Sequence, residues 1–333
     1  MQVRGFAAKS AKGKLEPFEY EAGPLGPEEV DVCVTHCGIC HSDVAMIDND
    51  WGFSSYPLVP GHEVIGTVAA VGSGVTQLKP GQRVGVGWSC GSCGVCEWCR
   101  SGREMFCANE KATIVGHRGG FASSVRSHWK YVFPIPEGLD SASAAPLLCA
   151  GTTVFTPIAH YGVTAQMRTA VVGVGGLGHL AVQYLAAFGC EVTAISSTHN
   201  KDQEARKFGA TGFIATNDAD ELAKAKGSFD FILSTVSADV NWPALIAALR
   251  PRGRLAICGI PQSDIKVNVT SILAEKSVSG ARSGSPSDTT QMLDFSARHG
   301  IKAMIERFAM SDVNKAVDHT RGGKARYRAV LVA

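Results

Sequence analysis

The 333-residue sequence is short of charge: Lys, Arg, Asp and Glu make up 19% of it, and 32 basic against 30 acidic residues leave a formal net charge of +2. Near neutrality, with no dense run of Lys or Arg, removes the electrostatic basis for binding nucleic acid or an anionic membrane. No stretch of roughly 18 apolar residues occurs, and "MQVRGFAAKSAKGKLEPFEY" has no apolar core of signal-peptide length, so neither a spanning helix nor a secretory leader is expected. A cytoplasmic, reducing location follows. There the eleven cysteines, an odd number, read as metal ligands and buried thiols rather than disulfides. Internal repeats and low-complexity linkers are also missing.

What is present describes an enzyme-sized globular chain. Hydrophobic residues make up 45% and glycines number 37, and the length exceeds what one core usually supports, which predicts two domains. Residues 1–150 carry short Val/Ile-rich segments bounded by turn residues, such as "EEVDVCVTHCGIC", "GHEVIGTVAAVGSGV" and "PGQRVGVGW". This is the pattern of antiparallel strands in a barrel or sandwich. From about residue 151 to 284 the rhythm changes to strands at 169–173, 191–196, 229–234 and 253–258, alternating with helices at 176–188, 200–208 and 241–249. That alternation predicts an α/β, doubly wound parallel sheet with right-handed crossovers. Residues 285–333 hold two helical stretches, "SDTTQMLDFSARHG" and "MSDVNKAVDHTRGG", and a terminal strand, "YRAVLVA".

The segment "CGSCGVCEWCRSGREMFC" spaces Cys93, Cys96, Cys99 and Cys107 as C-x2-C-x2-C-x7-C. Four thiolates on a glycine-containing lobe can close a tetrahedral structural zinc site. Cys90 offers a shifted set with Cys93, Cys96 and a more distant fourth ligand, and four thiolates alone also admit an iron-sulfur cluster. A DNA-binding finger has no basic surroundings to support it. A catalytic zinc needs mixed ligands and an open position; "CGICHSD" offers Cys40, "VPGHEVIG" offers His62 and Glu63, and "PLLCAGTTVF" offers Cys149. Singly, each reads as a small buried cysteine or a turn residue. Together they sit where strand-like segments meet glycine turns.

A further motif, "VVGVGGLG", sets Gly173, Gly175 and Gly178 in a G-x-G-x-x-G turn around Gly176 and Leu177, after one predicted strand and before a helix. Such a turn lets backbone approach a pyrophosphate at the helix N-terminus. The next strand ends in "SSTHNK", without the acidic residue that would hold an NAD ribose 2′-hydroxyl. Ser196 and Ser197 can instead donate to a 2′-phosphate and Lys201 can supply charge, which predicts NADP(H). The bland alternative makes the serines a helix cap and Lys201 a solvated charge.

In order along the chain, "CGICHSD", "GHEVIG", the cysteine lobe, "LLCAGTTVF", "GVGGLGH" and "KARYRAVL" resemble the zinc-dependent medium-chain alcohol dehydrogenases. The likeness is strongest to the branch of cinnamyl alcohol dehydrogenases and bacterial broad-range aldehyde reductases. The resemblance implies a β-rich GroES-like catalytic domain over 1–150, a Rossmann NADP-binding domain over 151–284 and a C-terminal return to the catalytic domain over 285–333. It implies Cys40, His62 and Cys149 as catalytic zinc ligands, with Glu63 either a fourth ligand or an exchanging carboxylate. Asp43 would orient the ligand histidine, Ser42 would bond the substrate oxygen and start a proton relay, and His41 and Arg328 would contact the cofactor pyrophosphate. Thr153, Thr235 and Gly259 match cofactor contacts, and Trp51 and Trp88 match substrate-pocket walls. Ala45 departs from the histidine that ends the relay in many relatives.

The activity implied is reversible hydride transfer between NADPH and aliphatic or aryl aldehydes, with two zinc ions per chain. A small-molecule substrate and a homodimer are expected, with a tetramer as the alternative assembly. The competing functional readings are a non-catalytic zinc protein that senses NADPH and a zinc-free quinone or enoyl reductase on the same scaffold.

Overall fold

The computed structural model describes residues 1–261 and 263–333. They divide into two compact units, Met1–Thr152 with Gly284–Ala333, and Thr153–Ser283. The division falls inside the helix Ala150–His160.

The first unit is built on a seven-stranded, mostly antiparallel sheet. Its order is Ile305–Ala309, Arg328–Val332, Glu29–Ile39, Glu63–Val71, Arg83–Val86 and Val132–Pro134, with Ser124–His128 also paired to Glu29–Ile39. Along one edge the long central strand changes partner: Glu29 to Cys33 pair with Ser124–His128, and His36 to Ile39 pair with the C-terminal strand. Register shifts after Asp31 and Val34 mark bulges, which bend a strand and re-aim its side chains. Alternating valines explain why these segments are strands: Val30, Val32, Val34, Val64, Val84 and Val86 fill one buried core, as β-branched side chains do on a half-buried pleat. An N-terminal hairpin of Gln2–Ala8 and Leu15–Glu21 was not anticipated, because its polar and charged residues hide the alternation. The strand Ile305–Ala309 was also unforeseen.

The expected tail helices and strand form. Pro286–His299 begins with Ser285 and Asp288 capping each other's backbone N–H at 3.2 and 2.8 Å and ends at Gly300 in the left-handed region, matching the start and stop chemistry of a helix.

The second unit is a six-stranded parallel sheet ordered Gly212–Ala215, Glu191–Ser196, Arg168–Val172, Phe229–Ser234, Leu249–Ile257 and Ser277–Gly280. In chain order this is 3-2-1-4-5-6, so the progression reverses between Arg168–Val172 and Phe229–Ser234. In such sheets ligands bind at the carboxyl ends of the strands at that reversal. The helix read at 176–188 is Gly178–Ala187, that at 200–208 is Asp202–Lys207 after a short turn, and that at 241–249 is Trp242–Ala248. The strand expected at 253–258 starts earlier, at Leu249, directly after the helix. A register shift between Phe229 and Phe231 absorbs the difference. The short strands Gly212–Ala215 and Ser277–Gly280 and the helix Ala219–Lys224 complete the alternation. Among the described residues no single helix is long and apolar enough to cross a membrane.

Candidate active site

In the first unit, sheet geometry brings distant residues into one buried group. Cys40 follows the central strand and is the N-cap of the helix His41–Asp48, and Glu63 begins the neighbouring strand. Cys149 follows the short helix Ala145–Leu148. One ligand atom each from Cys40, His62, Glu63 and Cys149 lies within 4.8 Å of every other. Cys40 and Cys149 sulfurs are 3.8 Å apart, and His62 Nε2 is 3.2 Å from the Cys149 sulfur. Gly38, paired across the sheet with Glu63, makes room for the carboxylate: a Cβ there would fall 2.0 Å from Glu63 Oε2.

Asp43 organises this group. Fully buried, it accepts from the Cys40 backbone N–H at 2.9 Å with one oxygen, and from Gly61 N–H at 2.9 Å and His62 Nδ1 at 2.8 Å with the other. It therefore caps its own helix and fixes the tautomer that turns the lone pair of His62 Nε2 toward the cysteines. Glu63, also fully buried, accepts from Arg328 Nη2 through Oε1, while Oε2 has no hydrogen-bond partner. Burial pushes the Glu63 carboxyl up to about 7, against the opposing charge of Arg328.

Ser42 and Trp51 are half-buried, Ala45 is buried and His41 is exposed. Trp88 sets its ring edge to face with His62, centroids 5.1 Å apart, and Trp51 lies 6.3 Å from Trp88 at 71°. Arg328, expected at the cofactor pyrophosphate, is 5% exposed and holds Glu63.

The sulfurs of Cys93, Cys96, Cys99 and Cys107 form a second group within 4.8 Å. Cys93 lies 3.9 Å from Cys99 and 3.6 Å from Cys107. Backbone N–H groups of Val95 and Cys96 pull the Cys93 thiol down to about 6, favouring thiolate. Cys90 lies in the strand Ser89–Gly91, outside this group, and burial pushes its thiol up to about 12.

In the second unit, a cavity of about 670 Å³ opens at the sheet's reversal point, lined in part by Gly173, Gly175, Ser196, Ser197, Lys201 and Thr235. The glycine turn is tight: a Cβ on Gly178 would fall 1.7 Å from the Gly173 carbonyl oxygen. Thr235 Oγ1 lies within hydrogen-bond distance of the Val172 and Gly173 carbonyls, at 2.9 and 3.0 Å. Lys201 Nζ donates to the Val174 carbonyl at 2.7 Å. Gly176 and Leu177 sit in the turn and Gly259 packs against Val236 backbone. Thr153 lies in the helix that enters the unit.

Two protein families match these two regions: the alcohol dehydrogenase GroES-like domain over residues 26–137 and the zinc-binding dehydrogenase over 176–298. The chain belongs to the zinc-dependent medium-chain alcohol dehydrogenases. This alcohol dehydrogenase is 46% identical to an aldehyde reductase of Synechocystis over 99% of its own length and 98% of that protein's. It is 41% identical to a probable cinnamyl alcohol dehydrogenase of Arabidopsis thaliana, over 99% and 94% of the two chains. Among solved structures it superposes on a cinnamyl alcohol dehydrogenase of Sorghum bicolor with a TM-score of 0.95 at 39% identity, covering 100% of this chain and 98% of that one. It superposes on a cinnamyl alcohol dehydrogenase of Helicobacter pylori complexed with NADP(H) with a TM-score of 0.92 at 31% identity, covering 100% and 98%. The dehydrogenase is thus an oxidoreductase of the alcohol dehydrogenase and aldehyde reductase kind.

The donors of this alcohol dehydrogenase fit zinc. A tetrahedral ion with bonds to sulfur of ≈ 2.3 Å separates its sulfurs by about 3.8 Å, and the sulfur separations here are 3.6, 3.8 and 3.9 Å. The unpartnered, buried Glu63 Oε2 is a further donor in want of a cation. Sequence reading missed several residues around these sites. Thr216 lines the cavity but follows an unrecognised four-residue strand. Arg321 donates to Asp48 at 2.9 and 3.1 Å across 273 residues, securing the helix that carries Ser42 and Asp43. No local signal marks that pair.

Proposed function

We propose that this protein is a zinc-dependent, NADP(H)-linked aldehyde reductase that also oxidises primary alcohols. The observation that carries this reading is the buried convergence of Cys40, His62, Glu63 and Cys149, with Asp43 set behind the imidazole. Cys40, His62 and Cys149 would hold the catalytic zinc, and Cys93, Cys96, Cys99 and Cys107 a structural one, so each chain carries two ions. When bound, the catalytic zinc supplies a Lewis acid for the substrate oxygen and NADPH supplies the hydride.

The chain's own residues do the rest. Asp43 accepts from His62 Nδ1, so that the neutral ring turns the lone pair of Nε2 toward the site. Arg328 offsets the charge of Glu63, leaving that carboxylate free to exchange in and out of the ligand set. Ser42 Oγ would bond the substrate oxygen and hand it a proton during reduction, and Ala45 offers no side-chain group to continue that relay. Trp51 and Trp88 wall the substrate pocket and keep it apolar. In the second unit the glycine turn and helix N-terminus take the pyrophosphate, with Thr153, Thr235 and Gly259 as further cofactor contacts, whereas His41 and Arg328 belong to the first unit. Ser196, Ser197 and Lys201 take the 2′-phosphate. One charge-assisted hydrogen bond to that phosphate is worth ≈ 1.5–3 kcal/mol, roughly tenfold or more in affinity.

The reading is tested by metal analysis together with NADPH oxidation over aliphatic and aryl aldehydes, with NADH as control. Two zincs per chain and faster turnover with NADPH are expected. One zinc with no aldehyde-dependent oxidation overturns the enzyme, and faster turnover with NADH overturns the cofactor assignment.

A further inference from the structure

An acidic side chain stands one layer behind the residues expected to receive the cofactor's 2′-phosphate. Ser196, Ser197 and Lys201, at and after the end of the strand Glu191–Ser196, line the cavity of the second unit. Thr216 lines it too, as do Leu222 and Ala223 on the helix Ala219–Lys224. His199 and Glu221 are not part of that lining, yet they lie in the same two segments and face each other. His199 Nε2 donates to Glu221 Oε1 at 2.7 Å, and Glu221 Oε2 accepts from the Ala215 N–H at 2.8 Å. The imidazole also packs against Phe213, ring centroids 5.6 Å apart at 35°.

An exposed histidine–carboxylate pair by itself contributes little. This one completes a set of bonds around the phosphate turn. The Thr216 N–H donates to the Ser196 carbonyl at 2.8 Å and the Asn217 N–H to the Ser197 carbonyl at 3.0 Å, which fixes the two serines against the neighbouring strand end. On the far side of the turn His199–Lys201, Lys201 Nζ donates to the Val174 carbonyl at 2.7 Å. Glu221 joins the middle of that turn to Ala215, the residue paired with Ser196 across the sheet. The Ala215 N–H first, and then His199, hold the Glu221 carboxyl below its ordinary value, so at neutral pH it is an acceptor for both.

We propose that Glu221 and His199 are positioning residues for 2′-phosphate recognition: the carboxylate, acting through the imidazole, holds the turn between Ser197 and Lys201 in the arrangement that meets the phosphate. The consequence runs against simple charge. A carboxylate near a phosphate repels it, so if charge alone mattered, removing Glu221 would tighten binding of the phosphorylated cofactor. With the clamp, removing Glu221 releases the turn, and ordering it again around the phosphate costs affinity. A nucleotide without that phosphate makes no use of the turn.

This inference rests on the NADP(H) reading, and the experiment separates the two. Binding of adenosine 2′,5′-bisphosphate and of adenosine 5′-phosphate to the full-length protein is measured by calorimetry for the wild type, Glu221→Ala, His199→Ala, the double variant and His199→Gln. The preference for the bisphosphate falls about tenfold in each alanine variant, the size of one charge-assisted hydrogen bond. It falls no further in the double variant, because the two side chains act as one unit. His199→Gln keeps an N–H donor for the carboxylate and retains most of the preference. An unchanged or stronger preference in Glu221→Ala overturns the proposal, since the carboxylate is then idle or merely repulsive. Additive losses in the double variant, a His199→Gln protein as weak as His199→Ala, or an equal loss of both nucleotides overturns it as well. A wild-type protein that binds the two nucleotides alike overturns the NADP(H) reading itself, and this inference with it.

Discussion

The two cysteine-bearing groups of the first unit are built in opposite ways. Cys93, Cys96, Cys99 and Cys107 come from fifteen consecutive residues, carried by little more than the short helices Glu97–Arg100 and Glu104–Phe106, and Cys93 and Cys96 remain partly exposed. Cys40, His62, Glu63 and Cys149 are gathered across more than a hundred residues by a sheet, and His62, Glu63, Asp43 and Arg328 are all buried. The local group is all sulfur and closed. The assembled group mixes sulfur, nitrogen and oxygen, adds a carboxylate behind its histidine, and balances Glu63 with an arginine. In the first, a bound metal would organise the chain; in the second, the chain's own packing would constrain the metal.

The sharpest way to break that contrast is to remove one ligand from each group. Cys40→Ser lowers aldehyde reduction by at least about a thousandfold, the loss expected when several kcal/mol of transition-state stabilisation disappear. Zinc falls from two ions to one, and far-ultraviolet circular dichroism is retained. Cys96→Ser gives the same zinc loss with the opposite phenotype: the melting midpoint drops by more than about 5 °C, because structural metal contributes folding energy directly, while the protein that remains folded still turns over.

The next effect sharpens the role of buried charge. Arg328→Gln leaves Glu63 buried without its partner and costs about 3 kcal/mol in denaturant unfolding. Asp43→Asn keeps an acceptor for His62 Nδ1 but loses the charge, and reduces zinc affinity of the assembled group about 10–100-fold. Competition with a chelator, site by site, reads this out.

The smallest effect lies on the approach to Cys149. Asp140 caps the helix Ser141–Ala144 by accepting from Ser143 N–H at 3.0 Å, and Asp140→Ala costs about 1 kcal/mol. That bond, chiefly, holds the Asp140 carboxyl below its ordinary value. Its contribution is complete above the ordinary carboxylate range and is lost as pH falls through the lowered value. The wild-type advantage over the alanine variant therefore vanishes in acid, which paired unfolding curves at neutral and acid pH will show.

The same contrast explains what sequence alone could reveal. The cysteine lobe is legible because its spacing is local, and the parallel sheet because apolar strands alternate with amphipathic helices. Each member of the assembled group is ambiguous by itself; only the ordered set of motifs made Cys40, His62, Glu63 and Cys149 stand out. Contacts that join distant surfaces left no trace in the pattern. The Arg321–Asp48 and Glu63–Arg328 pairs are of this kind. Short or polar strands escaped for a different reason. Gly212–Ala215 and Ser277–Gly280 are too brief for periodicity to accumulate, and Arg250-Pro251 disguised the start of Leu249–Ile257.

The position of Arg328 in the chain also has a bearing on synthesis. Residues 40, 62 and 149 emerge from the ribosome well before the strand Arg328–Val332 that flanks the central strand. A nascent chain halted in between carries all four candidate ligands, an open sheet edge beside His36 to Ile39, and an acidic side chain at position 63 without its arginine partner. Such a fragment can meet metal before its pocket is electrically balanced, and pairing of Arg328–Val332 both covers that edge and completes the charge complement of the reactive centre.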